Sequence, residues 1–336
     1  RTTVALGIGA VLLVAAAVAA VALGTSGVGP ERAVAIVVHR LTGLGEVTWP
    51  SSAETIVWEL RLPRVLAGMV VGAGLATAGV TFQALLRNPL ADPYIIGTAA
   101  GASLGAVAAL LLPIGAFGLL GIGGVQLFAF VGGLATVLVV FAVARGRSGT
   151  PVVTLLLAGY AVSSLLAAGV ALLMFLSGDQ LAAVVSWLLG SLGGASWARL
   201  AIAAPLIGIS FGLLLLRWRR LNALLLGELA AAHLGIEVER EKRILTALAA
   251  LATSAGVAIS GTIGFVGLVV PHVLRLAFGP DHRLLLPASM VYGAALLVLA
   301  DLGARLAGGI PVGIVTALIG APFFLWLLRR AVHVHG

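Results

Sequence analysis

The stretch GTIGFVGLVVPHVLRLAFGPDHR, residues 261–283, decides the fold class of this chain. It is apolar over about 20 residues, which is the length that spans the hydrocarbon core of a bilayer. It is broken by Gly261, Gly264, Gly267 and Pro271, and Pro271, which lacks a backbone donor, is predicted to kink any helix that continues through it. In lipid, such a break is tolerated only where protein or a water-filled cavity covers it. We therefore predict a broken membrane helix inside a bundle, with simple close packing of helices as the alternative.

The composition of the whole chain points to the same class. Apolar residues make up 61% of the 336 residues and charged residues 10%, and the mean hydropathy is +1.17. These values exclude an ordinary soluble domain and predict an all-α polytopic membrane protein, with residues 1–336 as one transmembrane domain. Cysteine is absent, so the chain has no disulfide framework and no thiolate metal site, and we expect it to bind no metal.

Ten apolar runs predict ten transmembrane helices. They cover about 4–23, 62–86, 95–112, 117–144, 152–176, 200–216, 244–260, 261–283, 284–300 and 310–328. Residues 25–59 and 177–197 are predicted external segments, and the second contains a short amphipathic helix. Residues 221–243 form the most polar stretch after the N-terminal loop and are predicted to be cytoplasmic.

The basic residues predict the orientation. Six of the 20 Lys and Arg residues fall on the predicted outside, namely Arg32, Arg40, Arg61, Arg64, Arg199 and Arg305. The other 14 fall on the predicted inside, and most of them form short clusters between apolar runs, among them Arg145 and Arg147. The positive-inside rule therefore predicts that both termini are cytoplasmic. Because these clusters lie between apolar runs, they favour anionic lipid headgroups over nucleic acid as their partner.

Enzyme classes are excluded by missing motifs. The sequence has neither a G-x-x-x-x-G-K-[ST] phosphate loop nor an H-E-x-x-H zinc motif. Residues 101–105, GASLG, match G-x-S-x-G, but that motif requires a strand-turn-helix context, and here it lies in a predicted membrane helix. We interpret it as small residues at a helix interface, and we expect no catalytic residues.

The predicted outer face carries a group of arginines. Arg61 and Arg64 flank Pro63 at the start of the second helix, and Asp301 and Arg305 lie one turn apart near the end of the ninth, so they can pair. Outward arginines can receive carboxylates of a partner protein through bidentate hydrogen bonds. The alternative is that these side chains reach toward lipid headgroups.

The cytoplasmic stretch 221–236 reads as two short helices divided at Gly227, with Gly235 as a C-cap. Apolar residues on a short cytoplasmic helix need a partner surface, and a separate ATPase is a natural candidate because this chain has no ATP site. The turn at residues 87–93, followed by a glycine-rich segment, reads as a cytoplasmic hinge or gate.

Six segments together resemble the permease subunits of type II ABC importers, the FecCD-type family for vitamin B12, haem and ferric siderophores. They are RLPR (61–64), QALLRNPLADPYIIG (83–97), LLLGELAAAHLG (224–235), GTIGFVGLVVPHVLR (261–275), DHRLLLPAS (281–289), and ADLGAR (300–305) with IPVGIVTALIGAPFFLWLL (310–328). The resemblance spans nearly the whole chain in the same order. It implies ten transmembrane helices, a second permease copy (a homodimer or a heterodimer), two cytoplasmic ATPase subunits that hold ATP and Mg, and an extracytoplasmic binding protein that delivers the substrate.

The resemblance also implies roles for individual residues. Docking of the binding protein is assigned to Arg61, Arg64 and Arg305. Coupling to the ATPase is assigned to Leu221, Asn222, Leu225, Gly227, Glu228, Ala231, Leu234 and Gly235. Pathway or gate positions are Thr81, Gln83, Asn88, Pro89, Ser163, Ser164, Gly264 and Pro271.

From this resemblance we expect alternating access in the inner membrane, with an iron complex (a ferric siderophore or haem) as the substrate. Cobalamin is the alternative within the same family. An ion-coupled carrier that works alone is the rival from another class, but it would be expected to have buried acidic relays, and intramembrane charge is scarce in this sequence.

Overall fold

A computed structural model describes residues 2–24, 26–112, 118–119, 122–146 and 149–335. Arg1, Arg147 and Phe117, where the fourth helix was predicted to begin, lie outside these residues. In chain order the helices are α1 (Thr2–Ala22), α2 (Pro30–Thr42), α3 (Ser51–Thr55), α4 (Leu62–Leu85), α5 (Thr98–Leu111), α6 (Gly124–Ala144), α7 (Val152–Phe175), α8 (Leu181–Leu188), α9 (Trp197–Leu215), α10 (Trp218–Leu225), α11 (Glu228–His233), α12 (Val238–Ser260), α13 (Val266–Phe278), α14 (His282–Leu306) and α15 (Val312–His335). Two short antiparallel strands, β1 (Gly118–Leu119) and β2 (Ile122–Gly123), precede α6.

The predicted all-α class is confirmed. Among the described residues, seven helical segments are long and apolar enough to cross a membrane: α1, the continuous helix Ser51–Leu85, α6, α7, α9, α12 and α14. Three shorter apolar helices, α5, α13 and α15, occupy the other predicted segments. The helices α2 and α3 lie in the predicted external segment 25–59, and α8 lies in 177–197.

The central helix is α4. It is buried along most of its length and packs against α12, α13 and α14. A β-carbon placed on Gly79 would lie within 3 Å of backbone atoms of Gly267 in α13, and one on Gly72 would do the same at Gly293 in α14. Glycine is therefore required at both crossings, because the backbones are in direct contact.

The second transmembrane helix begins earlier than predicted. The chain is helical from Ser51 rather than from residue 62, and the six residues Ile56–Arg61 form a π-helical turn. The N–H of Leu62 accordingly donates to the carbonyl of Val57, five residues back. Pro63 has no N–H to donate within the helix, and proline usually interrupts a helix. The wider π-helical turn before Pro63 lets the helix continue through it.

The break in the 261–283 segment falls at two of the glycines that were predicted to interrupt it. The chain is non-helical at residues 261–265, which include Gly261 and Gly264, and the helix α13 then runs on through Pro271. Gly261 and Phe265 both have positive φ angles, 68° and 69°. Protein groups satisfy the backbone that lacks helical partners here: the Tyr94 hydroxyl donates to the Ile263 carbonyl at 3.1 Å, and the Ser191 N–H donates to the carbonyl of the adjoining Ser260 at 2.7 Å. The break therefore lies inside the bundle, where lipid does not reach it.

Candidate functional site

The arginine group at the ends of α4 and α14 is organised around Asp301, which is almost fully buried. Arg64 donates from Nε to Asp301 Oδ2 and from Nη2 to Oδ1, both at 2.9 Å. Arg305 Nε forms an ion pair with Asp301 Oδ2 at 3.2 Å, as the one-turn spacing predicted. One carboxylate thus holds two guanidinium groups, and the Arg64 bond is of the strong bidentate kind.

Arg61 and Arg305 bind the end of α1. Arg61 donates to the carbonyls of Val21 at 2.9 Å and Ala22 at 3.2 Å, and Arg305 Nη2 donates to the carbonyl of Ala20 at 2.9 Å. The last carbonyls of a helix have no partner within the helix and carry its partial negative charge. Two arginines therefore cap α1 and attach it to α4 and α14.

These contacts determine how much of each arginine remains accessible. Arg61 is 5% exposed, whereas the Arg64 side chain is 23% exposed. Within the described residues, Arg64 Nη1 makes no hydrogen bond. Of the three predicted docking arginines, Arg64 is the one with both exposed surface and an unused donor. The docking role itself stays a prediction.

The segment 221–236 folds into the two short helices that the sequence predicted, α10 and α11. Gly227 separates them with φ 107° and ψ 158°, a conformation that favours glycine. At the other end, the Gly235 N–H donates to Ala232 and the Ile236 N–H donates to Ala231, and Gly235 has φ 81°. This pattern is a Schellman C-cap, so the prediction for Gly235 is confirmed.

The helix pair α10–α11 has an inner and an outer face. Leu221, Ala231 and Gly227 are buried, while Asn222, Leu225 and Glu228 are half-buried. Leu226, Leu229 and Leu234 form the exposed face, and Leu229 is 80% exposed. Of the eight residues assigned to coupling, Leu234 and Gly235 are thus the exposed ones, and the structure adds Leu226 and Leu229 beside them.

Asn222 connects α10 to the start of α14. Its amide donates to Asp281 Oδ1 at 2.8 Å, and its carbonyl oxygen accepts from the backbone N–H of His282 at 2.9 Å. Asp281 also caps α14 by accepting from the Arg283 N–H. The hydrogen bonds from Asn222 and Arg283 lower the pKa of the Asp281 carboxyl, because they favour its charged form.

Glu228 and Lys242 connect α11 to α12. Lys242, the single lysine of the sequence, lies 2.7 Å from Glu228 and 3.1 Å from Glu239, and it donates to the Thr150 carbonyl at 3.1 Å. On the neighbouring side, the buried carboxylate of Glu241 pairs with Arg217 and Arg220 at 3.1 and 2.6 Å. Sequence reasoning missed Lys242 and Glu241 as parts of this network; the i,i+3 spacing of Glu239 and Lys242 was the available signal.

Two predicted pathway residues, Thr81 and Gln83, are fully buried within the chain. The Gln83 amide donates to the Leu268 carbonyl at 3.2 Å, and its oxygen accepts from Arg275 at 2.9 Å. In this conformation Gln83 joins α4 to α13 rather than facing an open passage. Its pathway role, like that of Thr81, stays a prediction.

The remaining gate residues are more accessible. Asn88 and Pro89 are exposed in the predicted turn, and the Pro89 carbonyl contacts His272 Nδ1 of α13 at 3.3 Å. Ser164 is exposed and Ser163 is half-buried on α7, while Gly264 borders open space and Pro271 is buried in α13. The structure therefore brings the turn and α13 together, while the serines belong to a separate helix.

Comparison with known proteins identifies relatives along the whole chain. The model of the FecCD transport family matches residues 12–330. The cobalamin import system permease of Halobacterium salinarum is 48% identical over 281 residues, covering 83% of this chain and 75% of the relative. The hemin transport system permease of Yersinia pestis is 42% identical over 290 residues, covering 84% of this chain and 86% of the relative.

A solved structure has the same fold. It is described as an inward-facing conformation of a metal-chelate type ABC transporter, with a TM-score of 0.82 and 32% identity. The alignment covers 97% of this chain and 98% of that one.

Proposed function

The chain belongs to the FecCD transport family and is an ABC importer permease; from that premise we propose that two copies of it form a passage for a bulky metal chelate. Separate cytoplasmic ATPase subunits drive the passage by alternating access, and an extracytoplasmic binding protein delivers the cargo. Both termini lie in the cytoplasm. The leading cargo is an iron complex, either haem or a ferric siderophore.

The observation that carries this proposal is the exposed face of α10–α11. Leu226, Leu229 and Leu234 are exposed on a segment predicted to be cytoplasmic. Lipid does not cover them there, so a protein surface has to. An ATPase subunit is the partner that supplies energy to this family of importers.

The contacts behind that face supply a mechanism. Closure of the ATPase subunits on ATP displaces α10–α11. Through Asn222, the displacement reaches Asp281 and the first turn of α14; through Glu228 and Lys242, it reaches α12. Because the buried helices are packed backbone to backbone, they move as rigid elements rather than deform.

The gate responds through α13. This helix ends next to the α13–α14 turn that Asn222 holds, and it contacts the 87–93 turn through His272 and Pro89. Gln83 and Arg275 join α13 to α4 at the same level. A shift of α13 therefore moves the turn that contains Asn88 and Pro89, which opens or closes the cytoplasmic end of the passage.

The second copy packs against α7. Leu157, Tyr160 and Leu165 of this helix are exposed, and α7 is the least buried of the long apolar helices. Ser163 and Ser164 lie beside them and would face the passage. A wall with few charged groups suits a large chelate, because strong binding in the passage would slow release.

Docking of the binding protein uses Arg64 directly. Its unused Nη1 can receive a carboxylate of the partner, while Arg61 and Arg305 hold the neighbouring end of α1 in place. The three predicted arginines thus contribute to one docking surface in two ways.

Cobalamin is a second candidate cargo, favoured by the 48% identity to the Halobacterium permease. The test is uptake into vesicles that contain the permease with its ATPase and binding protein, measured with haem, a ferric siderophore and cobalamin. ATP-dependent accumulation of haem or the siderophore supports the leading proposal, and accumulation of cobalamin alone replaces it with the alternative. Accumulation by vesicles that hold this chain as the sole protein would overturn the importer mechanism.

A further inference from the structure

We propose that the crevice between α6 and α12 binds one anionic phospholipid of the leaflet on the α10–α11 side. This inference requires only that the chain lies in a bilayer, and it does not depend on the transport cycle. The crevice has a volume of about 350 Å³. Its walls include Leu134, Leu138 and Phe141 from α6 and Ala247 from α12, with Arg243 at one end.

A polar pocket of about 260 Å³ adjoins the apolar crevice. The two share Phe141 and Arg243, so they form one continuous depression. The polar part adds Arg145 from the end of α6 and the backbone around Gly149 and Thr150. An apolar slot that opens into a basic pocket has the two-part chemistry of a phospholipid, with an acyl chain next to a phosphate.

The charges in the polar part favour an anion. Within the described residues, the Arg145 side chain makes no hydrogen bond or ion pair, and it is exposed. Arg243 donates to the backbone carbonyl of Glu239 at 3.3 Å, which leaves its charge uncompensated. The Glu239 carboxylate also lines the pocket, but Lys242 lies 3.1 Å from it. Two guanidinium groups therefore face one carboxylate that already has a partner.

The setting favours a lipid over a soluble anion. Leu138, Val139 and Val143 on the outer side of α6 are exposed, as expected for a helix that faces hydrocarbon. Basic pockets between membrane helices on the cytoplasmic side are a recurrent form of binding site for anionic headgroups. A free phosphate would use only the polar part and leave the apolar crevice without an occupant.

A second crevice, toward the opposite ends of α6 and α12, lacks one of these features. It lies among α6, α9 and α12 near Phe130 and Leu206, and Arg199 is the single basic residue in its wall. Arg199 donates to the Gly194 carbonyl at 2.5 Å and is thus already engaged. For this reason we assign the lipid to the α6–α12 crevice.

The test is binding of dioleoyl phosphatidylglycerol to the full chain, purified with its partner subunits in detergent. Native mass spectrometry counts bound lipid, and the melting temperature reports binding, because a ligand of the folded state stabilises it. We expect one phosphatidylglycerol per chain and no comparable binding of dioleoyl phosphatidylcholine. The double variant Arg145→Gln/Arg243→Gln should weaken the affinity about thirtyfold, or about fivefold for each arginine.

Two further variants separate the parts of the site. Ala247 is exposed in the crevice wall, so Ala247→Phe fills the crevice without disturbing the core, and it should reduce binding although both arginines remain. Arg240→Gln is the matched control: this side chain is 68% exposed on the same side of α12 but outside the crevice, and it should bind lipid normally. If Ala247→Phe fails to fold, Ala247→Leu replaces it.

Several results would overturn the proposal. If Arg240→Gln lowered the affinity for phosphatidylglycerol as much as the double variant does, the lipid would be attracted by the basic surface as a whole. Normal binding by Ala247→Phe would mean that the headgroup alone is recognised. Displacement of the lipid by glycerol phosphate at equal concentration would identify a site for a soluble anion, and equal binding of phosphatidylcholine would remove the role of charge.

Discussion

Two groups of side chains differ in whether the chain itself provides their partners. One is the arginine cluster, Arg61, Arg64 and Arg305 around Asp301, and the other is the leucine face of α10–α11, Leu226, Leu229 and Leu234. The arginines were predicted to dock a partner protein, but most of their hydrogen bonds are made within the chain. Asp301 and the last carbonyls of α1 accept them. Leu226, Leu229 and Leu234, which are apolar, remain exposed.

The difference teaches that residue type alone does not identify a docking residue. A buried charge has to find compensation inside the chain, since an unpaired charge is very costly in a low-dielectric interior. An apolar side chain on a short helix carries no such requirement, so it can stay uncovered until a partner binds. The arginine cluster therefore serves first to hold the helices together, and the leucine face is the surface that we propose for the partner.

The largest effect is expected on stability, when the arginine cluster loses Asp301. Asp301→Ala removes the buried carboxylate and leaves the partly buried Arg64 and Arg305 without it, which should lower the stability by about 3–5 kcal/mol. The measurement is the midpoint of unfolding of the purified chain in detergent. Asp179→Ala, which removes an exposed carboxylate, is the control and should leave the midpoint unchanged. If both variants unfold alike, the cluster does not hold the helices together.

The next effect tests the leucine face. Leu229→Glu should weaken ATPase binding about thirtyfold, the loss typical of a central interface residue, while the stability of the permease stays the same. Affinity is measured by titrating the permease with the ATPase subunit. Leu44→Glu, at a leucine 69% exposed in the external segment, is the matched control. Unchanged affinity in Leu229→Glu would remove α11 from the interface.

The smallest effect separates two neighbouring arginines. Arg61→Gln should lower the stability by about 1–3 kcal/mol, because the carbonyls at the end of α1 lose their donors, and docking to the folded permease should stay nearly normal. Arg64→Gln should weaken docking of the binding protein even to the folded permease, since its Nη1 is the free donor; it also lowers the stability, because Asp301 loses its bidentate partner. Affinity and unfolding midpoint are measured on both variants. The reverse pattern, with docking lost in Arg61→Gln alone, would contradict the proposal that Arg61 caps α1 while Arg64 contacts the binding protein.

Several features could be predicted because they depend on local chemistry. Gly227 and Gly235 divide and end the short helices in the way their conformational freedom predicts, and Asp301 and Arg305 pair because they are four residues apart on one helix. The long apolar runs predict helices for the same reason: a helix satisfies its own backbone in lipid. Among the described residues, seven helical segments are long enough to span a membrane, and shorter apolar helices occupy three of the ten predicted positions.

Other features depended on contacts that are distant in sequence. Pro271 and three glycines were predicted to interrupt the 261–283 segment. The chain is non-helical only at residues 261–265, where Tyr94 and Ser191 supply hydrogen-bond partners, and α13 runs through Pro271. Pro63 was expected to begin a helix, yet a π-helical turn carries the helix past it. A hydrophobic pattern predicts neither the hydrogen bonds from Tyr94 and Ser191 nor the π-helical turn before Pro63.

A helical membrane bundle with basic turns and a divided polar segment between its later helices follows from apolar length, charge and glycine positions, so the amino-acid sequence is enough to predict it. Only the packed helices show that Arg61 caps α1, that Gln83 joins α4 to α13 and that Asn222 connects α10 to α14. Each of these side chains acts on a group at least 20 residues away in sequence, and folding brings the two together only when the helices pack.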